Sequence, residues 1–218
     1  MRIVGLLGLG LLLASTACMP STSPSRPLTY VAIGASDAVG VGADDPETQG
    51  WVPRLGARLG PNVRVVNLGV SGSTLRQALD EQLGPALDAR PDVVSVWLAV
   101  NDLNAQVPLE QYAADLDTLL GRLEGTHAKV LVGNVPDVGR LAAYRGVDPG
   151  PLEAEVARWN QAIADVVARH GATLVDLYGR WQEVADHPEY LSQDGFHPSA
   201  DGYARLAEVF AEAAGARS

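Results

Sequence analysis

Five short runs rich in Val and Ile, each followed by a longer stretch of helical period, constrain this chain more than any other feature. Such alternation is the pattern of βαβ units around a parallel sheet. The runs cover 29–33, 63–67, 93–99, 129–133 and 173–177. Each is continuously apolar rather than alternating, as expected where helices cover both faces of the sheet. Helical period is expected at 50–59, 74–83, 109–123, 152–170 and 200–214. In the third of these, Leu109, Tyr112, Ala113, Leu116, Leu119, Leu120 and Leu123 share one face, with Glu110, Asp115 and Asp117 on the other. Pro108 precedes this helix and Pro151 opens the next, where a missing N–H does no harm. The expected architecture is a three-layer α/β/α sandwich around a mainly parallel five-stranded sheet.

The 218 residues fit one domain, covering 28–218, behind a short leader. With 47% hydrophobic and 19% charged residues, the chain can bury a full core. Sixteen basic against 26 acidic residues leave a formal charge of -10 with no Lys/Arg run. That balance repels a nucleic-acid backbone, so no nucleic-acid partner is expected.

Residues 1–17 read as a signal peptide: Arg2, an apolar run from 3 to 14, then Ser15, Thr16 and Ala17 before Cys18. The run is too short for a permanent bilayer span. Cys18 is the sole cysteine, so it has no partner for an intrachain disulfide and is free for lipidation. The segment resembles a bacterial lipoprotein box, with Ser15 where such boxes usually carry leucine. The Ser-, Thr- and Pro-rich stretch 18–27 reads as a flexible tether. Export and attachment to a cell-envelope membrane by an N-terminal lipid are expected, with simple secretion as the alternative.

In a parallel sheet, ligands bind beyond the C-terminal ends of the strands. Gly34-Ala35-Ser36-Asp37 follows the first run, Gly69-Val70-Ser71-Gly72 the second and Asn101-Asp102 the third. Asp194-Gly195-Phe196-His197-Pro198 lies between the fifth run and the last helix. Taken singly, these are ordinary cap and turn residues. Together they supply what acyl transfer needs. Ser36 is the candidate nucleophile, His197 its base and Asp194 the orienting carboxylate. The backbone N–H groups of Ser36 and Gly69 and the Asn101 side-chain amide are the candidate oxyanion donors.

This ordered set resembles the SGNH hydrolases, also called GDSL-like esterases and lipases, over the chain from about Tyr30 to its end. The resemblance implies a flavodoxin-like α/β/α fold, hydrolysis of an ester or thioester through an acyl-enzyme, and no metal or organic cofactor. Two departures stand out. Ala35 occupies the place of the Asp in Gly-Asp-Ser, with Asp37 after the serine, and Ala99 stands where Gly is common two residues before the asparagine. Gly50-Trp51-Val52-Pro53 and the 67–72 block look like the thioesterase and lysophospholipase-like branch. The expected partners are a small-molecule, lipid or sugar ester and, through Cys18, a membrane. An inactive binding lipoprotein and an acyltransferase with the same triad are the alternatives.

His127, His170 and His187 lie far apart with no second ligand at metal spacing, so no metal site is expected. Trp97 and Trp159 read as core, while Trp51 and Trp181 stay unassigned. The segment 136–150, with Arg140, Leu141, Tyr144 and Arg145 among turn residues, is expected to overhang the active edge and shape substrate choice.

Overall fold

The computed structural model describes residues 26–180 and 186–216. The leader, Cys18, most of the tether and Trp181 lie outside the described residues. In chain order the elements are β1 (Thr29–Gly34), α1 (Ser36–Val39), α2 (Pro46–Gln49), α3 (Trp51–Leu59) and β2 (Arg64–Asn67). Next come α4 (Leu75–Glu81), α5 (Leu83–Asp88), β3 (Val93–Trp97), α6 (Ala99–Asn104) and α7 (Leu109–Glu124). The last are β4 (Lys129–Gly133), α8 (Pro149–Arg169), β5 (Thr173–Val175), α9 (Leu177–Arg180) and α10 (Ala200–Ala214). The five strands form one parallel sheet in the order β2-β1-β3-β4-β5, which is the flavodoxin-like order. No helix among the described residues is long and apolar enough to cross a membrane.

Side chains of β1 leave the sheet alternately, and every one is buried. Val31 and Ile33 enter a core with Val94, Val96 and the apolar faces of α4, α5, α7 and α8. Tyr30 and Ala32 enter the opposite core with Trp97, Leu131, α3 and α10. Complete burial of one Val or Ile contributes about 1.5–3 kcal/mol, so the three-layer arrangement is held chiefly by its central strands. Trp51 is core as well: it stacks on Phe210 at 4.4 Å and meets Trp97 edge-on at 6.2 Å. Trp159 packs on Tyr112 at 4.8 Å and donates to Glu155 Oε1 at 2.9 Å.

The structure corrects several expected boundaries. The sheet is internal at its centre, but β2 is an edge strand with mostly exposed residues. The run expected at 93–99 ends as a strand at Trp97; Leu98 leaves β geometry and α6 begins at Ala99. The helix expected at 74–83 is α4, which ends at Glu81; the Gln82 side chain turns inward to the backbone of Gly34, and a further helix not expected from the sequence, α5, follows. The helix expected from 152 starts three residues earlier, with Pro149 in its first turn and the Asp148 side chain accepting from the Gly150 N–H. Asp115, expected on the solvent face of α7, is buried and paired with Arg76.

Candidate active site

The strand order reverses between β1 and β3, whose outgoing chains depart to opposite faces and leave a crevice at their C-terminal ends. Gly34 ends β1 under a two-point clamp. Its N–H donates to Gln82 Oε1 at 3.0 Å, and Gln82 Nε2 donates to its carbonyl at 3.0 Å. Two residues later Ser36 opens α1, only 8% exposed. Its backbone thus stands on a buried, fully satisfied strand end, which holds its position.

The other half of the site is a short loop anchored to α10. Leu191 and Pro198 form an antiparallel bridge, Ser192 N–H donates to the His197 carbonyl at 2.9 Å, and Ser199 N–H donates to the Tyr190 carbonyl at 2.8 Å. The Ser199 side chain caps α10 by accepting from Gly202 N–H at 3.2 Å. Gly42 lets this loop close on the segment after α1. At its φ of +101°, an added Cβ would lie 2.4 Å from the Pro198 carbonyl oxygen and 3.2 Å from the Cβ of His197.

Three side chains meet there. His197 Nε2 lies 2.9 Å from Ser36 Oγ, and Nδ1 lies 2.6 Å from Asp194 Oδ2. Asp194 Oδ1 accepts from Ser192 Oγ at 2.8 Å, Phe196 N–H at 2.8 Å and His197 N–H at 2.9 Å. Burial pushes the Asp194 carboxyl up, but the His197 ring and the other donors outweigh it and hold the group well below the usual carboxylate range. Because the carboxylate only accepts, Nδ1 carries the proton and Nε2 is left to accept from the serine hydroxyl. Asp37 packs beside this pair. Its burial pushes it up to about 6, against the attraction of His197 and with added repulsion from Asp194.

The donors expected for an oxyanion are placed differently from one another. The Gly69 N–H is occupied, donating to Asn67 Oδ1 at 3.1 Å. A Cβ at Gly69 would lie 2.7 Å from that of Ala38 and 3.1 Å from the Ala35 carbonyl oxygen, so this glycine lets the loop pack on α1. Gly72, three residues on, has φ +82° and open space where a side chain would stand. Asn101 Nδ2 donates to the Ser73 carbonyl at 3.0 Å, which sets the 73–74 peptide against the asparagine amide and leaves its second hydrogen for another acceptor. Asp102 holds the same loop from below, accepting from the Leu75 N–H at 2.9 Å. It is 1% exposed, and burial pushes it up to about 6 despite that hydrogen bond, with Asp115 adding repulsion.

Gln82, Asp102 and Gly72 were not singled out by sequence reasoning. A lone Gln in a helical stretch carries no signal. The Asn-Asp dipeptide and the second glycine of the 69–72 block were visible, without a mark of which group faces the crevice. The 136–150 segment does reach the active edge: it folds into 3-10 turns at Val138–Arg140 and Ala142–Tyr144, and Val138 and Leu141 are buried. His170, outside the site, bridges Glu124 and Asp117.

Known proteins similar to this chain include two esterases and a hydrolase of solved structure. Acetylxylan esterase of Geobacillus stearothermophilus is 25% identical over 169 residues, 74% of each chain. Esterase TesA of Pseudomonas aeruginosa is 27% identical over 191 residues, 86% of this chain and 88% of that one. The crystal structure of LAE5, an alpha/beta hydrolase enzyme from the metagenome of Lake Arreo, superposes with a TM-score of 0.72 at 25% identity, covering 88% of this chain and 97% of that one. The family model for GDSL-like lipases and acylhydrolases matches residues 32–205, and the chain belongs to that family.

Proposed function

We propose that this protein is a carboxylic-ester hydrolase working through an acyl-enzyme on Ser36. The observation that carries the reading is the chain of contacts from Ser36 Oγ through the His197 ring to Asp194, at 2.9 and 2.6 Å. Nε2 of His197 takes the hydroxyl proton as Ser36 Oγ attacks the substrate carbonyl. The imidazolium formed is balanced by the Asp194 carboxylate, and its proton passes to the departing alcohol. Water then enters, gives a proton to the same nitrogen and attacks the acyl-serine, releasing the acid and restoring the hydroxyl. Ser36 N–H, the free hydrogen of the Asn101 amide and the Gly72 N–H are the donors for the oxyanion. We prefer Gly72 to Gly69 because the Gly69 N–H is already spent on Asn67. The relatives named an acetylxylan esterase and an esterase support ester chemistry.

Export and lipidation at Cys18 complete the reading, supported by the apolar leader and the small residues before a lone cysteine. The chain enters the domain at Arg26, whose guanidinium pairs with Asp92 at 2.6 Å. Asp92 precedes β3 and Arg26 precedes β1, so this entry is at the edge of the sheet opposite Ser36. A lipid-anchored form therefore presents its active edge away from the tether. The test of the hydrolase reading is Ser36→Ala: turnover of p-nitrophenyl acetate falls to background while the circular dichroism spectrum is unchanged. A folded variant that keeps its turnover refutes it.

A further inference from the structure

The space beside Ser36 is small and apolar. One recess, of about 20 Å³, is bounded by Asp37, Trp97, Val100, Val138, Leu141 and Phe196. A second, of about 10 Å³, lies between Ala35 and Asn101 and shares Asp37, Trp97 and Val100 with the first. Ala35 and Asp37 are the chain neighbours of Ser36, Phe196 is that of His197, and Asn101 lines the second recess, so both recesses lie beside the reacting groups. Since on the order of 10–15 Å³ of such space admits one water, each recess holds a group about the size of a methyl.

The wall across from Asp37 is fixed rather than loose. Val138 and Leu141 are 0% and 5% exposed. Their segment is held at its start by Asn160, which accepts from Val135 N–H at 2.8 Å and donates to the Val135 carbonyl at 2.9 Å. At its far end Tyr144 donates its hydroxyl to Asn104 Oδ1 at 2.6 Å, and the Ala143 N–H donates to the Gly195 carbonyl at 3.4 Å. Enlarging the recess requires breaking one of these attachments. The large trough nearby, about 510 Å³, gives no shelter to such a chain, for Asp44, Glu189, Asp194 and Asp201 line it.

We infer that the site accepts acyl groups of acetyl to propionyl size, and that Val138 and Leu141 set this limit. The inference rests on the acyl-enzyme reading above and deepens it by naming the acyl class. The experiment is a kcat/KM series on p-nitrophenyl acetate, butyrate, hexanoate and octanoate, for the wild type, Leu141→Ala and Val138→Ala. The wild type falls by about 100-fold from acetate to octanoate, as a misfit against a fixed apolar wall demands. Leu141→Ala raises the octanoate-to-acetate ratio by about tenfold. Val138→Ala serves where the Leu141 variant melts too low to assay, and the wild-type series stands without either. A parallel series of acetates with alcohols of increasing length keeps the same profile in wild type and variants. A flat or rising wild-type acyl profile overturns the size limit while leaving the hydrolase intact. Folded variants with an unchanged ratio, or with a change confined to the alcohol series, overturn the role of the wall. Absence of turnover with every ester, together with a Ser36 inert to fluorophosphonate, overturns the hydrolase reading and the size limit with it.

Discussion

Replacing Asp194 by Asn separates the chemistry of this carboxylate from its structural work. Four hydrogen bonds converge on it, and three of them, from Ser192 Oγ, Phe196 N–H and His197 N–H, go to Oδ1. An Asn carbonyl accepts all three, so the turn that carries His197 survives. The fourth, Oδ2 to His197 Nδ1 at 2.6 Å, is reversed in sense, because an amide NH₂ faces the ring. The ring relieves the donor–donor clash by moving its proton to Nε2, where it can no longer accept from Ser36. In another serine hydrolase the same exchange lowers kcat about 10⁴-fold, equivalent to roughly 5–6 kcal/mol of barrier. Asp194→Asn is therefore expected to lose about 10⁴-fold in kcat on p-nitrophenyl acetate with little change in KM or melting temperature. Asp194→Ala is expected to lose melting temperature as well, because the Oδ1 acceptor disappears. A folded Asp194→Asn enzyme within tenfold of wild-type kcat refutes the orienting role.

Two other outcomes follow from the same geometry. Asn101→Ala removes an amide proposed as an oxyanion donor and is expected to lower kcat by about 10²–10³-fold with KM largely kept, checked by steady-state kinetics. Asp102 carries a pH dependence of stability. Its carboxyl is raised from 3.8 to about 6 in the folded protein, so folding takes up a proton between those values and this group's contribution declines as pH rises from about 4 to 6. The gap corresponds to roughly 3 kcal/mol at neutral pH. Asp102→Asn, whose carbonyl still accepts from Leu75 N–H, is expected to be more stable than wild type at pH 7 by up to about that amount, and no more stable at pH 4. Urea melts of both proteins at the two pH values check the difference.

The sheet was legible because burial on both faces leaves unbroken Val and Ile runs, as in β1 and β3. The same signal misled at β2, where Val65 and Val66 suggest an internal strand but lie at the open edge. Periodicity located α7 and failed only at Asp115, whose inward position depends on Arg76 of a helix 39 residues away in sequence. Ser36, Asp194 and His197 were legible as residues following strand ends or preceding a capped helix. Their approach to one another follows from the parallel order of the strands. The Gln82 clamp on Gly34 and the Asn67 bond to Gly69 were not, because a single polar side chain does not announce which distant backbone it completes.

Labelling with a fluorophosphonate reports directly on the activation of Ser36 by His197, because only a serine activated by its base reacts quickly with the phosphorus. One phosphonyl group per chain is expected, found by mass spectrometry on the peptide containing Ser36, absent in Ser36→Ala and slowed by about 10³-fold or more in His197→Ala. A folded wild-type protein that stays unlabelled, or a His197→Ala protein labelled as fast as wild type, contradicts it.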